Sequence, residues 1–215
     1  MRKPDQHLTA RVERGLARVL PDAPGGAPER LARLAELVTD WGTRINLSGH
    51  RAPADLVDRL VLDAAGIGSV LPGFATLVDL GSGAGFPGLP LAILFPDAAF
   101  TLVEARQRRH HFQRAAVREL GLANVEPVQG RIEHEPTTHG DIALAQAVGP
   151  AADVFRAIRP WARAGGLLAI PALLDARAPE LGPELGVLEA REYRLPMPDD
   201  DEVAETRVLW LVRAP

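Results

Sequence analysis

Twelve residues near the middle of the chain constrain its fold more than any other segment. They read Leu77-Val-Asp-Leu-Gly-Ser-Gly-Ala-Gly-Phe-Pro-Gly88, a short buried strand followed by closely spaced glycines and an apolar run typical of a helix. Gly81, Gly83 and Gly85 allow a sharp turn and let a ligand approach the backbone without meeting a β-carbon. The segment therefore predicts a ligand-binding loop, and the structural alternative is a tight strand-to-helix turn that binds nothing.

Three features around this loop indicate which ligand it binds. Asp79 stands at the strand end, where a carboxylate repels pyrophosphate but pairs with an ammonium group, such as the amino group of a methionine moiety. The Phe-Pro-Gly sequence after Gly85 differs from the loop of dinucleotide-binding proteins. Glu104 ends the next predicted strand, about 20 residues on, where an acid hydrogen-bonds ribose hydroxyls unless it is simply solvated. We therefore predict S-adenosylmethionine as the cofactor and S-adenosylhomocysteine as its product.

The pattern after residue 72 alternates between strands and helices, which predicts a parallel sheet. Strands are expected at 75–80, 99–104, 125–129, 141–147 and 167–170, followed by an antiparallel pair at 187–194 and 203–212. Helices are expected at 89–95, 107–120 and 154–163, the last of them stopped by Gly165-Gly166.

Helical spacing also characterises the first part of the chain, at 5–20, 28–42 and from Pro53 to Asp63. We therefore predict a helical N-terminal extension, residues 1–72, packed on a cofactor-binding domain of residues 73–215. The fold class that this organisation predicts is α/β, the Rossmann-like class I methyltransferase fold that binds S-adenosylmethionine, with a mostly parallel seven-stranded sheet.

Composition excludes several classes of protein. The 215 residues, 47% of them hydrophobic, are enough for one core and leave little room for a second full domain. There is no cysteine, hence no disulfide framework and no Cys nucleophile, and a net charge of −4 leaves nucleic-acid binding to a local basic patch. Without an apolar run near the roughly 20 residues of a membrane helix, or a secretory signal, we expect a cytoplasmic monomer with no membrane partner.

The sequence resembles the RsmG (GidB) family of small-subunit rRNA guanine-N7 methyltransferases from about Leu31 to Gly166. Trp41-Gly-Thr-Arg-Ile-Asn-Leu-Ser48 is similar to that family's W-N-x-x-x-N-L-T signature, and Asp79 to Pro90 matches its cofactor loop nearly residue for residue. Gly130-Arg-Ile-Glu133 is similar to its adenine-contacting G-R-x-E. The resemblance implies a role in rRNA processing, with the small ribosomal subunit rRNA as the partner.

The resemblance also implies functional residues. It implies that the methionine half of the cofactor lies against Asp79 and the loop, with the ribose at Glu104. The full cofactor set that it implies is Asp79, Gly81, Ser82, Gly83, Gly85, Phe86, Glu104, Ala105, Ile132, Glu133 and Gln146. It further implies catalytic positions at Gln146 and Asn46, and substrate or RNA contacts at Arg59, Arg106, Arg109 and Arg114.

Four departures from the family pattern lie on the presumed substrate side. Gln146 stands where the family reads the arginine of S-R-A, Leu60 replaces a histidine, Ala64 replaces a serine, and Ile170-Pro-Ala172 replaces L-K-G. All four remove polar or charged groups, whereas the cofactor loop is intact. We therefore expect weak or altered rRNA activity, and an active divergent enzyme stays an open reading.

Methylation of guanine N7 needs no general base, because N7 carries a lone pair and no proton. The rate would come from holding N7 in line with the methyl group. Gln146 donates a hydrogen bond but lacks the charge and fork of arginine. A methyltransferase of a small-molecule acceptor and a catalytically weak cofactor-binding paralogue remain alternatives, whereas the loop and the sole tyrosine, Tyr193, argue against a nicotinamide dehydrogenase.

A basic run, Arg106 to His111 with Arg114 and Arg118, lies on the helix predicted at 107–120. Helical spacing puts Arg106, His110 and Arg114 on one face, which predicts either a phosphate-binding patch or a solvated face. His110 and His111 are adjacent and point in different directions, so we expect no metal site. The acidic run Asp199 to Glu202 is interpreted as a solvated loop.

Overall fold

In the computed structural model, which describes residues 2–196 and 204–215, seven strands form one sheet. The strands are β1 Thr76–Leu80, β2 Ala99–Glu104, β3 Val125–Gln129, β4 Gly140–Ala145, β5 Ala162–Leu173, β6 Leu188–Pro196 and β7 Ala204–Arg213. Their order is β3-β2-β1-β4-β5-β7-β6. The first five strands run parallel, and β7 runs antiparallel to both β5 and β6. The predicted mostly parallel, seven-stranded, Rossmann-like fold is confirmed.

Seven α-helices in the described residues complete the architecture. They are α1 Gln6–Val19, α2 Ala27–Gly42, α3 Pro53–Leu56, α4 Leu62–Val70, α5 Gly88–Leu94, α6 Gln107–Leu120 and α7 Ala151–Ile158. A π-helical turn, Val57–Val61, joins α3 to α4, so the helix predicted to begin at Pro53 continues well beyond Asp63. Within the described ranges, none of these helices is both long enough and apolar enough to cross a membrane.

The region around Gly165 and Gly166 differs from the sequence prediction. The helix predicted to reach residue 163 ends at Ile158, and β5 already begins at Ala162. Gly140 pairs with Ala162 but Ile142 pairs with Leu167, so β5 bulges between these two pairs. Gly165 adopts a φ of 72°, a conformation that glycine tolerates. The two glycines therefore shape a bulge within a strand rather than the end of a helix.

The N-terminal helices share a hydrophobic cluster with the sheet domain. Leu8, Val12 and Leu16 are buried on one face of α1, as the helical spacing predicted. In α2 every residue from Leu31 to Ala35 is buried, so this helix is covered on more than one side. Their cluster includes Leu102 of β2, Phe112 of α6 and Leu195 of β6. By contrast, α7 packs on the other face of the sheet through Val154, Phe155 and Ile158. The division into an extension and a domain at residue 72 stays a prediction.

The shared cluster generates a test of that division. Leu34→Ala would remove a fully buried side chain from the cluster and should lower the free energy of unfolding by about 2–5 kcal/mol. Because the cluster joins both parts of the chain, urea denaturation followed by circular dichroism should show one cooperative transition shifted as a whole. Val187→Ala, at a position 87% exposed, is the control and should change little. Two separated transitions would show that the extension unfolds by itself.

Candidate active site

The glycine loop lies where the strand order of the sheet reverses. β1 pairs with β2 on one side and with β4 on the other, and Leu80 is paired with Ala145. Gly81 and Gln146 follow these paired residues, so they leave the sheet side by side at its carboxyl edge. In open α/β sheets ligands bind in the crevice at such a reversal.

The backbone of the loop folds over the end of β2. The amides of Gly81 and Ser82 both donate to the carbonyl oxygen of Val103, at 2.9 and 3.1 Å. Gly81 and Gly83 adopt φ values of 71° and 57°, in the left-handed region where a β-carbon is unfavourable. The glycines thus allow the turn itself, as the sequence predicted.

Glu104 closes the loop from the end of β2. Its Oε2 accepts a hydrogen bond from the Gly83 amide at 2.9 Å, and its Oε1 accepts one from the Arg106 amide at 2.7 Å. The side chain is buried rather than solvated. Since each carboxylate oxygen accepts more than one hydrogen bond, both remain able to receive ligand hydroxyls.

Asp79 lies fully buried beneath the loop. Its Oδ2 accepts a hydrogen bond from the Gly88 amide at 2.9 Å, whereas its Oδ1 has no hydrogen-bond partner among the described residues. Burial, with a smaller contribution from the negative charge of Glu104, raises the pKa of Asp79 to about 7 against the lowering effect of the Gly88 hydrogen bond. An unpaired buried carboxylate oxygen fits a cationic ligand group such as an ammonium.

Gln113 of α6 also holds the loop, and the sequence patterns did not predict it as a site residue. Its Nε2 donates to Ser82 Oγ at 2.8 Å and to the Gly83 carbonyl at 2.9 Å, and the side chain is fully buried. A signal was present in the sequence, because Gln113 shares the buried helix face with Ala116 and Leu120. A lone polar residue on an apolar face needs a buried hydrogen-bond partner, and the loop supplies it.

Apolar side chains flank Gly81 on the outside of the loop. A β-carbon on Gly81 would lie 3.0 Å from Val148 Cγ2 and 3.6 Å from Ile132 Cδ1. Ala147 adopts a φ of 55°, a strained conformation that turns the chain after β4 over the loop. Ile132, implied to contact the adenine, is thus beside the loop, whereas Val148 was not predicted.

Three other residues of the implied cofactor set differ in exposure and in their surroundings. Glu133 is exposed and lines a groove of about 640 Å³ together with Ile132 and residues of α7. Ala105 is exposed at the end of β2, and Phe86 is half-buried against the cluster of the N-terminal helices.

Gln146 is anchored by a buried carboxylate, that of Asp63 in α4. Gln146 Nε2 donates to Asp63 Oδ2 at 2.9 Å, the Tyr193 hydroxyl donates to Asp63 Oδ1 at 2.8 Å, and Arg207 Nη1 lies 3.2 Å from that same oxygen. Burial raises the pKa of Asp63, and the charge of Arg207 opposes this rise. Gln146 was predicted from the sequence as a site residue, whereas Asp63, Tyr193 and Arg207 were not.

The predicted RNA-contacting arginines occupy different surroundings. Arg109 is half-buried; its Nε lies 3.4 Å from the carbonyl oxygen of Asn46, and its Nη1 is 3.7 Å from where a β-carbon on Gly83 would be. Asn46 is itself exposed. Arg59 is exposed and pairs with Glu205 at 3.3 Å.

The basic side chains at α6 are arranged differently from what their helical spacing predicts. Arg106 precedes the helix as its N-cap, and His110 turns toward β3, with Nε2 3.3 Å from the Pro127 carbonyl. Arg114 instead lines an open groove of about 510 Å³ with Trp41, His111 and Arg118. The predicted face of Arg106, His110 and Arg114 is therefore wrong, because Arg106 is outside the helix and His110 points inward.

Comparison with known proteins agrees with this geometry. The family model described as rRNA small subunit methyltransferase G (GidB) matches residues 28–172, more than half of the chain. The Ribosomal RNA small subunit methyltransferase G of Chromohalobacter salexigens is 37% identical over 207 residues, covering 95% of this chain and 97% of the relative. That of Methylococcus capsulatus is 41% identical over 180 residues, covering 83% and 85%.

A solved structure shows the same architecture over the whole chain. A putative O-methyltransferase from Klebsiella pneumoniae superimposes with a TM-score of 0.56 at 17% identity, covering 97% of this chain and 99% of that one. The order of the strands, the glycine loop at the reversal of that order and this likeness together define a Rossmann-like class I methyltransferase. Within that class, the chain belongs to the GidB family, rRNA small subunit methyltransferase G. The resemblance seen in the sequence is confirmed.

The buried position of Asp79 leads to a pH-dependent prediction. The pKa of Asp79 is about 7 in the folded protein, above its ordinary value of 3.8, so folding favours the protonated form. Asp79 therefore contributes stability that is fully present below a pH of 3.8 and is lost as the pH rises from there through 7. Asparagine at position 79 does not ionise, so Asp79→Asn does not lose this stability as the pH rises. The stability of the variant relative to the parent should rise by on the order of 2 kcal/mol between pH 5 and pH 7. Urea unfolding at pH 5, 7 and 8 measures it.

Asp153→Asn provides the control, because Asp153 lies on α7 with its side chain 71% exposed. This change reports the effect of removing one surface carboxylate. A stability difference between Asp79→Asn and the parent that stays constant from pH 5 to pH 8 would contradict the assigned environment of Asp79.

Proposed function

We propose that this protein is an S-adenosylmethionine-dependent methyltransferase of the small ribosomal subunit rRNA, with guanine N7 as the acceptor. The observation that carries the proposal is the complete cofactor loop at the strand reversal, with the unpaired Oδ1 of Asp79 beneath it. Relatives named Ribosomal RNA small subunit methyltransferase G support the substrate, since one of them aligns with this chain over 97% of its length. The alternative of a small-molecule acceptor has no such support.

The loop residues fit this cofactor. We assign the methionine half to Asp79, Gly81, Ser82, Gly83 and Gly85, the ribose to Glu104, and the adenine to the side of the loop where Ile132 and Val148 lie. A β-carbon on Gly83 would make ordinary van der Waals contact and no clash, because its nearest neighbour would be Arg109 Nη1 at 3.7 Å. When bound, the cofactor supplies an electrophilic methyl group on its sulfonium.

The chemistry asks the protein to orient the acceptor rather than to remove a proton. Guanine N7 carries a lone pair, so its rate depends on in-line placement and on exclusion of competing water. Gln146 follows β4 directly beside the loop and donates hydrogen bonds without carrying charge. We assign to it the orientation of the acceptor base.

The groove between α2 and α6 is the proposed RNA contact. Trp41 packs edge-on against Phe112 with ring centroids 5.6 Å apart, which fixes one wall of the groove. Arg114 and Arg118 are exposed on the other wall, and no ion pair engages either of them in the part of the chain that the structure describes. Cationic side chains beside an aromatic ring suit the phosphates and bases of RNA. This patch is the local basic surface that a chain of net charge −4 requires.

The function is tested with methyl-labelled S-adenosylmethionine and small subunits from a strain lacking the family enzyme. The wild-type protein should label the rRNA, and mass spectrometry should identify N7-methylguanine. Gly83→Asp should lower the rate at least about tenfold, because its carboxylate would stand beside Glu104 and repel the cofactor carboxylate. Gly83→Asn is the matched control, since both side chains tolerate a positive φ and only one is charged.

Calorimetric cofactor binding separates the outcomes. Labelled rRNA that Gly83→Asn retains and Gly83→Asp loses would support the proposal. Cofactor binding without any label in the subunits would contradict rRNA as the substrate. Failure of the wild-type protein to bind the cofactor would contradict the assignment of the loop.

The groove generates a second prediction. Replacing both Arg114 and Arg118 by Glu should raise KM for small subunits by about tenfold or more and flatten its dependence on salt, because fewer phosphates are neutralised. The KM for the cofactor should not change. Arg159→Glu, an exposed charge reversal beyond α7 on the opposite face of the sheet, is the control. Equal effects of the two charge reversals would contradict a local RNA contact.

A further inference from the structure

Asp63 combines nearly complete burial with bonds to three separate strands or strand ends. The residue is only 1% exposed, yet its carboxylate contacts Gln146 after β4, Tyr193 of β6 and Arg207 of β7. Tyr193 and Arg207 share Oδ1, whereas Gln146 is the partner of Oδ2 within the described residues. A buried carboxylate with several matched donors is a built arrangement, because an unmatched one would be strongly destabilising.

Arg207 connects this buried carboxylate to a chain of alternating charges. Its Nε donates to Glu205 Oε1 at 3.0 Å, and Glu205 Oε2 in turn accepts from Arg59 Nη1 at 3.3 Å. The side chain of Arg207 is 17% exposed and that of Arg59 45%, so the charges run from the surface inward to Asp63. The guanidinium of Arg207 is therefore held by two carboxylates on opposite sides.

This arrangement restricts the orientation of Gln146. A carboxylate only accepts hydrogen bonds, so the amide nitrogen of Gln146 must face Asp63. The carbonyl oxygen and the second N–H of the same carboxamide bind no other group in residues 2–196 and 204–215, so they can bind the acceptor. Because Gln146 follows the residue paired with Leu80, those free groups lie at the carboxyl edge beside the cofactor loop.

We propose that Asp63, bound by Arg207 and Tyr193, is a positioning residue that orients the Gln146 carboxamide toward the methyl acceptor, so that β7 supplies the charge that position 146 lacks. This inference rests on the proposed function for its acceptor. Gln146 and Arg207 bind opposite oxygens of one carboxylate, so a positive charge at either position can balance it. The missing arginine at position 146 is thereby compensated rather than lost.

Moving the guanidinium from position 207 to position 146 tests the proposal. Arg207→Gln leaves Asp63 with neutral donors only and should lower kcat for subunit methylation by about 10- to 100-fold, with KM for the cofactor unchanged. The double variant Gln146→Arg with Arg207→Gln returns one guanidinium to the same carboxylate, and the remaining N–H groups of that guanidinium can donate to the acceptor in place of the amide N–H. It should therefore restore kcat to within about fivefold of the parent. Arg213→Gln, exposed at the end of β7, is the matched control and should leave kcat unchanged.

A measurement that needs no turnover examines the orientation itself. In protein labelled with ¹⁵N in glutamine side chains, the Gln146 amide signals are assigned by their absence in Gln146→Leu. One of these protons should exchange with solvent at least about tenfold more slowly than those of the exposed Gln107, because it is bound to a buried carboxylate. This readout works on the wild-type protein, so it decides the orientation even if Arg207→Gln does not fold.

The outcomes are distinguishable. Slow exchange at Gln146 together with rescue by the double variant would support the proposal. Exchange as fast as that of Gln107, wild-type kcat in Arg207→Gln, or a folded double variant no more active than Arg207→Gln would overturn it. Slow exchange in a wild-type protein that labels no rRNA would support the Asp63 anchor and contradict the proposed substrate instead.

Discussion

The parallel pairing of β1 with β4, at the point where the strand order reverses, is the constraint on which the rest of this structure depends. Parallel strands deliver their carboxyl ends to one edge, so the residues that follow them become neighbours although they are distant in sequence. Here the pairing of Leu80 with Ala145 puts Gly81 beside Gln146. The glycine loop and Gln146 thus meet at one crevice, and helices packed on both faces of the sheet leave that crevice open at the edge.

Buried polar groups give the crevice its shape. Asp79, Glu104 and Gln113 are all buried, and each binds a backbone group of the loop or of the helix that follows it. Such groups are costly in an apolar interior unless they are hydrogen-bonded, which holds the loop in one conformation before any ligand arrives. Asp79 Oδ1 and Gln113 Oε1 find no partner in the described residues, and of the two only the carboxylate oxygen of Asp79 suits a cationic ligand group.

The departures from the family pattern take a different meaning in three dimensions. Read along the chain, the glutamine at position 146 removes a charge from the substrate side. In the folded protein the same region contains Arg207 bound to Asp63, together with the hydroxyl of the sole tyrosine, Tyr193. Loss of one cation in the sequence is therefore not loss of positive charge around that buried carboxylate. The acidic run Asp199 to Glu202 lies outside the described residues.

The sequence by itself determined the cofactor loop, the parallel α/β sheet and the methyltransferase class, because turn glycines, strand length and helical period are local properties. It did not reveal that Gly165 and Gly166 form a bulge, since a glycine pair marks a bulge and a helix end equally well. Only the tertiary structure brought Asp63 to Gln146 and Tyr193, which are 83 and 130 residues further along the chain. Tyr193 and Arg207 meet at that carboxylate because the register of β6 on β7 pairs these two residues, and no local pattern encodes that register.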